Sequence, residues 1–129
     1  MNDQNGITEY MAPEVMNCSQ ATTSSDMWSV GVVAYMLLSG GKSPFYCGSR
    51  YRTMARSLSC EYDLGIPEME HISPQAKDLV TKLLVIDSTQ RYALCSGLLA
   101  TLPHCHNVTY IMIMIGCHRY RCNRYICHM

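Results

Sequence analysis

Residues 24–41 read SSDMWSVGVVAYMLLSGG, and this stretch decides the fold class. The polar residues 24–26 supply N-cap candidates for a helix, and residues 39–41 supply a C-terminal stop signal. In the twelve residues between them, apolar side chains occur on every side of the helix instead of along one stripe. Such a helix lies inside a protein larger than itself or in a membrane, and its length favours the protein interior.

The neighbouring segments also predict helices. Pro13 stands near the start of a short helical turn at 11–16, and residues 49–59 read as an amphipathic helix. In that second helix the residues expected to face the core are Tyr51, Met54, Ala55 and Leu58, and those expected on the opposite face are Arg50, Arg52 and Arg56.

A further helix begins at Ser73, with Ser73 as N-cap and Pro74 in the first turn. Its expected inward residues are Ala76, Leu79, Val80, Leu83 and Leu84, and its expected outward residues are Lys77, Asp78 and Lys82. A last helix is predicted at 93–102. No segment alternates with the period of two that a strand requires, so the sequence predicts a mainly α fold.

Composition excludes several classes of protein. The chain has 129 residues, enough for one domain with a core, and 48% are hydrophobic, too many for intrinsic disorder. Ten basic residues balance ten acidic ones, so no overall field favours nucleic acid or a membrane surface. No apolar run reaches the ~20 residues that span a bilayer.

The chain contains eight cysteines, and the opening MNDQNGITEY has no apolar signal-peptide core. A disulfide scaffold belongs to an oxidising compartment. We therefore expect free thiols and a cytoplasmic location.

Four motifs occur in a fixed order along the chain. They are Ala12-Pro13-Glu14, then Asp26-Met27-Trp28-Ser29-Val30-Gly31, then Ser43-Pro44-Phe45, then Leu83-Leu84 with Arg91. This order resembles the back half of eukaryotic Ser/Thr protein kinases. The stretches at 35–40 and 76–80 look like the calmodulin-dependent kinase group, especially phosphorylase kinase gamma and the myosin light chain kinases.

The resemblance implies a domain arrangement. Residues 1–104 correspond to part of the kinase C-lobe, from the end of the activation segment to the last helix of the lobe, with the N-lobe absent. We expect residues 105–129 to form an unrelated, poorly ordered tail that contains Cys, His and Arg.

The resemblance also assigns structural roles. Glu14 is an acid beside an apolar turn, and a buried carboxylate needs a partner. The family implies Arg91 as that partner in a bidentate pair; the alternative is two unconnected surface charges. Asp26 is either a first-turn acid favoured by the helix dipole or, as in the family, also an acceptor of hydrogen bonds from the catalytic loop. Trp28 and Gly31 are packing residues, Gly31 allowing close approach of a neighbour.

Residues 6–10 fall where the family's substrate loop lies. They are Gly6, Ile7, Thr8, Glu9 and Tyr10. The family usually reads Gly-Thr-Pro-Glu here, and the threonine that contacts the catalytic aspartate is replaced by Ile7. A shift of one residue could place Thr8 there instead.

No catalytic residue is identified in this chain. Phosphoryl transfer needs a glycine-rich loop, a strand lysine, a catalytic aspartate and magnesium ligands, and no such motif occurs. His118-Arg119-Tyr120 has tyrosine in place of the aspartate and follows Ala12-Pro13-Glu14 instead of preceding it. We expect no cofactor for this chain, although the intact family uses ATP and magnesium.

Two functions remain open. One is a fragment of an ATP-dependent Ser/Thr kinase that is not catalytically competent as this chain. The other is a non-catalytic interaction or docking module. Its partners would be protein substrates or the missing kinase half, and calmodulin if the tail binds it. No metal site and no nucleic-acid partner are expected.

The tail at 105–129 carries three arginines and no acid. Its cysteines and histidines raise the question of zinc, but without a Cys-x-x-Cys pair their spacing argues against a zinc site. A calmodulin-binding or membrane-surface helix is a second alternative, although its charges trail its apolar block. The favoured interpretation is an unrelated end without an evolved role.

The all-apolar helix also predicts how the isolated chain behaves. Such a helix needs neighbours on every side. We expect a purified chain that is partly molten or self-associated.

Overall fold

The structure, a computed structural model, describes residues 8–91. They form α1 (Pro13–Met16), α2 (Thr23–Leu38), α3 (Arg50–Ser59) and α4 (Pro74–Leu83), with a 3-10 turn at Pro67–Met69. Helical backbone resumes at 88–91, and this part of the chain contains no strand. The mainly α prediction is therefore confirmed over residues 8–91, while the helix expected at 93–102 and the tail at 105–129 lie outside them. No helix in the described part is long and apolar enough to cross a membrane.

Helix α2 begins earlier than expected. Its N-cap is Thr22, so the prediction of a cap within residues 24–26 was wrong. The backbone N–H of Thr22 donates to Oγ of Ser25 at 3.2 Å, as in a capping box, and this local pairing fixes the start of the helix. The end is as expected: Gly41 N donates to Met36 O at 2.7 Å, and Gly40 and Gly41 have the positive φ values that glycine tolerates.

Helix α2 packs against α4 along one face. Trp28 and Val32 are fully buried there. At Gly31 the two helices come so close that an added Cβ would lie 2.8 Å from Cδ2 of Leu84. The opposite side of α2 is less covered, and Leu37 is 78% exposed.

Aromatic side chains join α2 to the loops that follow it. The rings of Trp28 and Phe45 stack with centroids 5.3 Å apart, and Tyr62 meets Phe45 and Tyr35 edge-on. The Tyr35 hydroxyl donates to Asp63 O at 2.6 Å. Burial raises the pKa of Tyr62 to about 12, helped by Cys60 and Tyr35.

The orientation predicted for α3 was wrong except at Met54, which is half-buried. Its buried residues are Thr53 and Ser57, whereas Tyr51 is 83% and Leu58 37% exposed. The inward face packs against α1, and small side chains there allow the two helices to approach. The buried Thr53 hydroxyl donates a hydrogen bond to the Ser49 carbonyl oxygen at 2.9 Å.

Helix α4 follows its prediction at the start. Ser73 Oγ accepts from Ala76 N at 3.3 Å, which confirms Ser73 as N-cap, and Val80 and Leu83 are buried. Two assignments were wrong. Leu79 is 40% exposed, because the buried stripe is narrower than the apolar pattern. Lys77, expected to face outward, is half-buried.

The cysteines of the described part are free thiols, as expected: Cys18, Cys47 and Cys60. Cys60 ends α3 in the left-handed conformation, with φ of 55°. Its Sγ donates to Leu84 O at 3.1 Å, and this contact holds a residue that is not glycine in that conformation. Burial raises the pKa of the Cys60 thiol, which keeps it protonated and unreactive.

Candidate functional site

The first part of the candidate site is an ion pair between the two ends of the described chain. Nη2 of Arg91 lies 2.7 Å from Oε2 of Glu14. The Arg91 side chain is fully buried, and that of Glu14 is 18% exposed. The residue pair implied by the family resemblance is therefore present in the structure.

The geometry of this pair differs from the expected bidentate one. The second guanidinium nitrogen, Nη1, donates to the Ser24 carbonyl oxygen at 2.9 Å instead of to the carboxylate. The second carboxylate oxygen of Glu14 accepts from Ser25 Oγ at 2.9 Å. The bidentate prediction was wrong because the first turn of α2 comes between the two partners. We call Glu14, Ser24, Ser25 and Arg91 the clamp.

The clamp keeps Glu14 charged. Burial alone would raise the pKa of this carboxyl, but hydrogen bonds from Arg91 and Ser25 and the charge of Arg91 outweigh burial. The net effect is a pKa below the ordinary value of 4.5. At neutral pH the clamp is an ion pair fastened to the start of α2.

Arg91 also contacts the aromatic core. Its Cζ lies 5.3 Å from the centre of the Trp28 ring, within the range of a cation–π interaction. Among the described residues, Arg91 Nε and Trp28 Nε1 are buried without a hydrogen-bond partner. The packing around Trp28 thus includes polar atoms that the contacts described above do not satisfy.

The second part of the site is the segment at residues 8–10, which falls where the family resemblance implies the substrate loop. Thr8 is buried, and Tyr10 is fixed from both ends. Its carbonyl oxygen accepts from Ser29 Oγ at 2.8 Å, and its hydroxyl donates to Met36 Sδ at 3.5 Å. Burial, with a smaller contribution from Glu9, raises the pKa of Tyr10, so its hydroxyl stays protonated. Gly6 and Ile7 lie outside the described residues.

A groove of about 390 Å³ lies beside this segment. It is formed where the end of α2 passes the loop that follows it, and we call it the docking groove. Its lining residues are Glu9, Met36, Gly41, Lys42, Ser43 and Tyr46.

The two charged residues that line the docking groove differ in their ion pairing. Lys42 pairs with Glu68, whereas Glu9 forms no ion pair with another residue of the described part. Met36 adds a half-buried apolar side chain, and Tyr46 is 52% exposed. The groove therefore presents a carboxylate, a thioether and a phenol to an incoming chain.

The remaining residues singled out in the sequence lie close to the clamp. Ala12 is the N-cap residue of α1 and Pro13 its first residue, and both are buried. Asp26 lies in the first turn of α2, where the helix dipole favours an acid, and it has an interaction partner. Gly31 lies against α4, one turn beyond Trp28.

Sequence reasoning missed half of the clamp and most of the docking groove. Ser24 and Ser25 were identified only as cap candidates, although their polarity at the start of an apolar helix could have indicated a second use. For Met36, Lys42 and Tyr46 no local signal exists, because they join the groove through the turn after α2.

The described residues contain no group of three or more His, Cys, Asp or Glu that could hold a metal ion. The zinc and calmodulin questions concern residues outside the described part.

Comparisons with known proteins agree with this geometry. A model of the protein kinase domain family matches residues 1–106. A probable myosin light chain kinase of Dictyostelium discoideum is 40% identical over 87 residues, which are 67% of this chain and 22% of that protein. Myosin light chain kinase family member 4 of Mus musculus is 42% identical over 93 residues, 72% of this chain and 24% of that protein.

Solved structures show the same similarity. The twitchin kinase region from C. elegans superposes with a TM-score of 0.64 and 38% sequence identity, covering 67% of this chain and 15% of that one. The chain thus spans less than a quarter of the length of each of these relatives.

Proposed function

Because this chain belongs to the protein kinase domain family, we propose that it forms the part of a Ser/Thr kinase's large lobe that docks the protein substrate. The intact family transfers phosphate from ATP with magnesium to Ser and Thr residues. These 129 residues contain none of the motifs for nucleotide binding or phosphate transfer. The proposed role of the chain alone is therefore docking without phosphoryl transfer, in the cytoplasm.

The observation that carries this proposal is the docking groove next to residues 8–10. The clamp and the bonds of Tyr10 to Ser29 and Met36 hold this segment in place before any partner arrives. A preformed surface loses less conformational entropy on binding than a mobile one. The carboxylate of Glu9, which forms no ion pair within residues 8–91, favours a substrate segment that carries a basic side chain.

The relatives are named as myosin light chain kinases, which makes a myosin light chain a suitable probe. We expect the full chain to bind it, and Glu9→Lys to weaken binding about tenfold. The matched control is Glu61→Lys, which makes the same change of charge at an exposed glutamate that does not line the groove. Equal affinities for both variants would contradict the assignment of the groove.

The second function is a non-catalytic module that binds the remaining part of a kinase domain or calmodulin. The half-covered outer side of α2, with Leu37 78% exposed, favours the first of these partners. Mixing this chain with a separately expressed N-lobe joined to the preceding half of the large lobe tests it, since phosphate transfer by the mixture would favour assembly over docking alone. For calmodulin, the test is to mix it with a peptide spanning residues 105–129 and look for a calcium-dependent shift in gel mobility.

A further inference from the structure

Helix α3 presents its apolar side to solvent. Tyr51, Ala55 and Leu58 follow one another at i, i+4 and i+7, the spacing of a single helix face. Tyr51 is 83% exposed, Leu58 is 37% exposed, and Ala55 is also exposed. In a surface helix whose apolar side packs only against the protein's own core, this side would be buried.

The fold itself leaves this side of the helix unused. Helix α3 is anchored through the opposite face, where Thr53 and Ser57 pack toward α1. Small polar residues therefore face inward while an aromatic and an aliphatic side chain face outward. Packing within residues 8–91 does not explain why the outer side is apolar.

The same helix is basic. It carries Arg50, Arg52 and Arg56 and no acidic residue. None of the three forms an ion pair with another residue in the part of the chain that the structure describes. Arg50 and Arg52 directly precede and follow Tyr51 in the helix, and both are exposed. Within residues 8–91, two arginines without an ion pair therefore flank the apolar side of α3.

We propose that this α3 outer face, formed by Tyr51, Ala55, Leu58, Arg50 and Arg52, docks an acidic amphipathic segment of a partner protein. Tyrosine and arginine are the side chains that most often dominate binding energy at protein interfaces. Tyr51 and Leu58 bind the apolar side of the segment. The arginines pair with its carboxylates, which steer the approach and fix its orientation.

Charge complementarity decides between this partner and a second copy of the chain. A two-fold dimer would place the same patch against itself, so that arginines face arginines. Like charges held together in an interface oppose association. An acidic segment meets the same patch with opposite charges.

The test uses the full chain and two synthetic amphipathic helices of about 20 residues with leucine on one face. One peptide carries glutamate at its other positions, and its matched counterpart carries lysine. Fluorescence anisotropy should show the glutamate peptide binding at least about tenfold more tightly. Tyr51→Ala should weaken that binding about tenfold, and Arg52→Glu should reverse the preference between the peptides.

Leu79→Ser is the matched control, because Leu79 is an exposed apolar residue on a different helix, 40% exposed against 37% for Leu58. All substituted residues are exposed, so circular dichroism should show unchanged helix content. Equal binding of both peptides, an unchanged affinity of Tyr51→Ala, or an equal loss in Leu79→Ser would overturn the proposal.

Two further results would also overturn it, each in favour of another occupant. Loss of self-association in Tyr51→Ala, measured by sedimentation, would identify the face as an interface between copies. Binding to phosphatidylserine vesicles that Arg52→Glu abolishes, with no binding of the glutamate peptide, would identify a membrane surface.

Discussion

Nη2 of Arg91 lies 2.7 Å from Oε2 of Glu14, although 77 residues separate them in the chain. Arg91 is fully buried, and its other terminal nitrogen donates to the Ser24 carbonyl oxygen. One side chain therefore joins the start of α1, the start of α2 and the helical turn at 88–91. The contact therefore fixes the two helix starts that follow the segment at residues 8–10, the segment proposed to dock substrate.

Removing Arg91 should destabilise the protein strongly. Arg91→Ala leaves the Glu14 carboxylate without its charge partner and opens space beside Trp28, at a cost of about 3 kcal/mol. Chemical denaturation measures this change. The control is Lys82→Ala, which breaks an exposed pair with Asp78 and should cost less than about 1 kcal/mol. Similar losses in the two variants would show that the clamp is not a stabilising contact.

Acid should weaken the clamp. The pKa of Glu14 is lower in the folded protein than its ordinary value of 4.5, so its stabilising contribution is complete above that pH and is lost as pH falls through the folded pKa. Glu14→Gln should therefore lose less stability than the unchanged protein when pH falls from about 6 to about 3. Glu68 and Asp87, whose pKa values are also lowered, remain in both proteins and leave a residual slope.

The control for this pH experiment is Glu70→Gln, which neutralises an exposed glutamate outside the clamp. It should keep the steeper pH dependence of the unchanged protein. If Glu14→Gln and the unchanged protein have parallel profiles, the Glu14 carboxylate does not couple folding to pH.

Gly31 should not tolerate a side chain. An added Cβ would lie 2.8 Å from Leu84 Cδ2 and 2.9 Å from Leu83 Cβ, both part of the packing against α4. Gly31→Ala should cost about 1–3 kcal/mol in the free energy of unfolding, despite the better helix propensity of alanine. Leu84→Ala in the same chain should recover part of that loss. If the changes in unfolding free energy of the two substitutions simply add in the double variant, the contact with Leu84 is not the cause of the destabilisation.

The sequence predicted those features that local chemistry determines. Ser73 followed by Pro74 identified the start of α4, and the two glycines after Ser39 identified the end of α2. The motif order indicated Glu14 and Arg91 as a pair, but the bidentate geometry failed because Ser24 and Ser25 lie between them.

Other features depend on which element packs where. The apolar residues of α3 indicated an inward face, yet α1 packs against Thr53 and Ser57 instead, and no local signal in α3 reveals its neighbour. The docking groove likewise depends on long-range contacts, since Glu9 and Met36 meet across 27 positions of sequence.

The outer side of α2 should make the purified chain self-associate. Leu37 is 78% exposed and extends an apolar surface that the described residues only partly cover. Leu37→Glu should shift the chain towards monomer in sedimentation velocity, while Thr81→Glu, an exposed change on α4, should not. A wild-type chain that is monomeric with a sharp cooperative melt contradicts this prediction.

The most direct measurement is a calorimetric titration of the full chain, first with ATP and magnesium and then with a myosin light chain. Docking without phosphoryl transfer predicts no heat of binding from the nucleotide and a saturable heat from the protein that Glu9→Lys reduces. Nucleotide binding, or a myosin light chain that gives no saturable heat, would contradict the account.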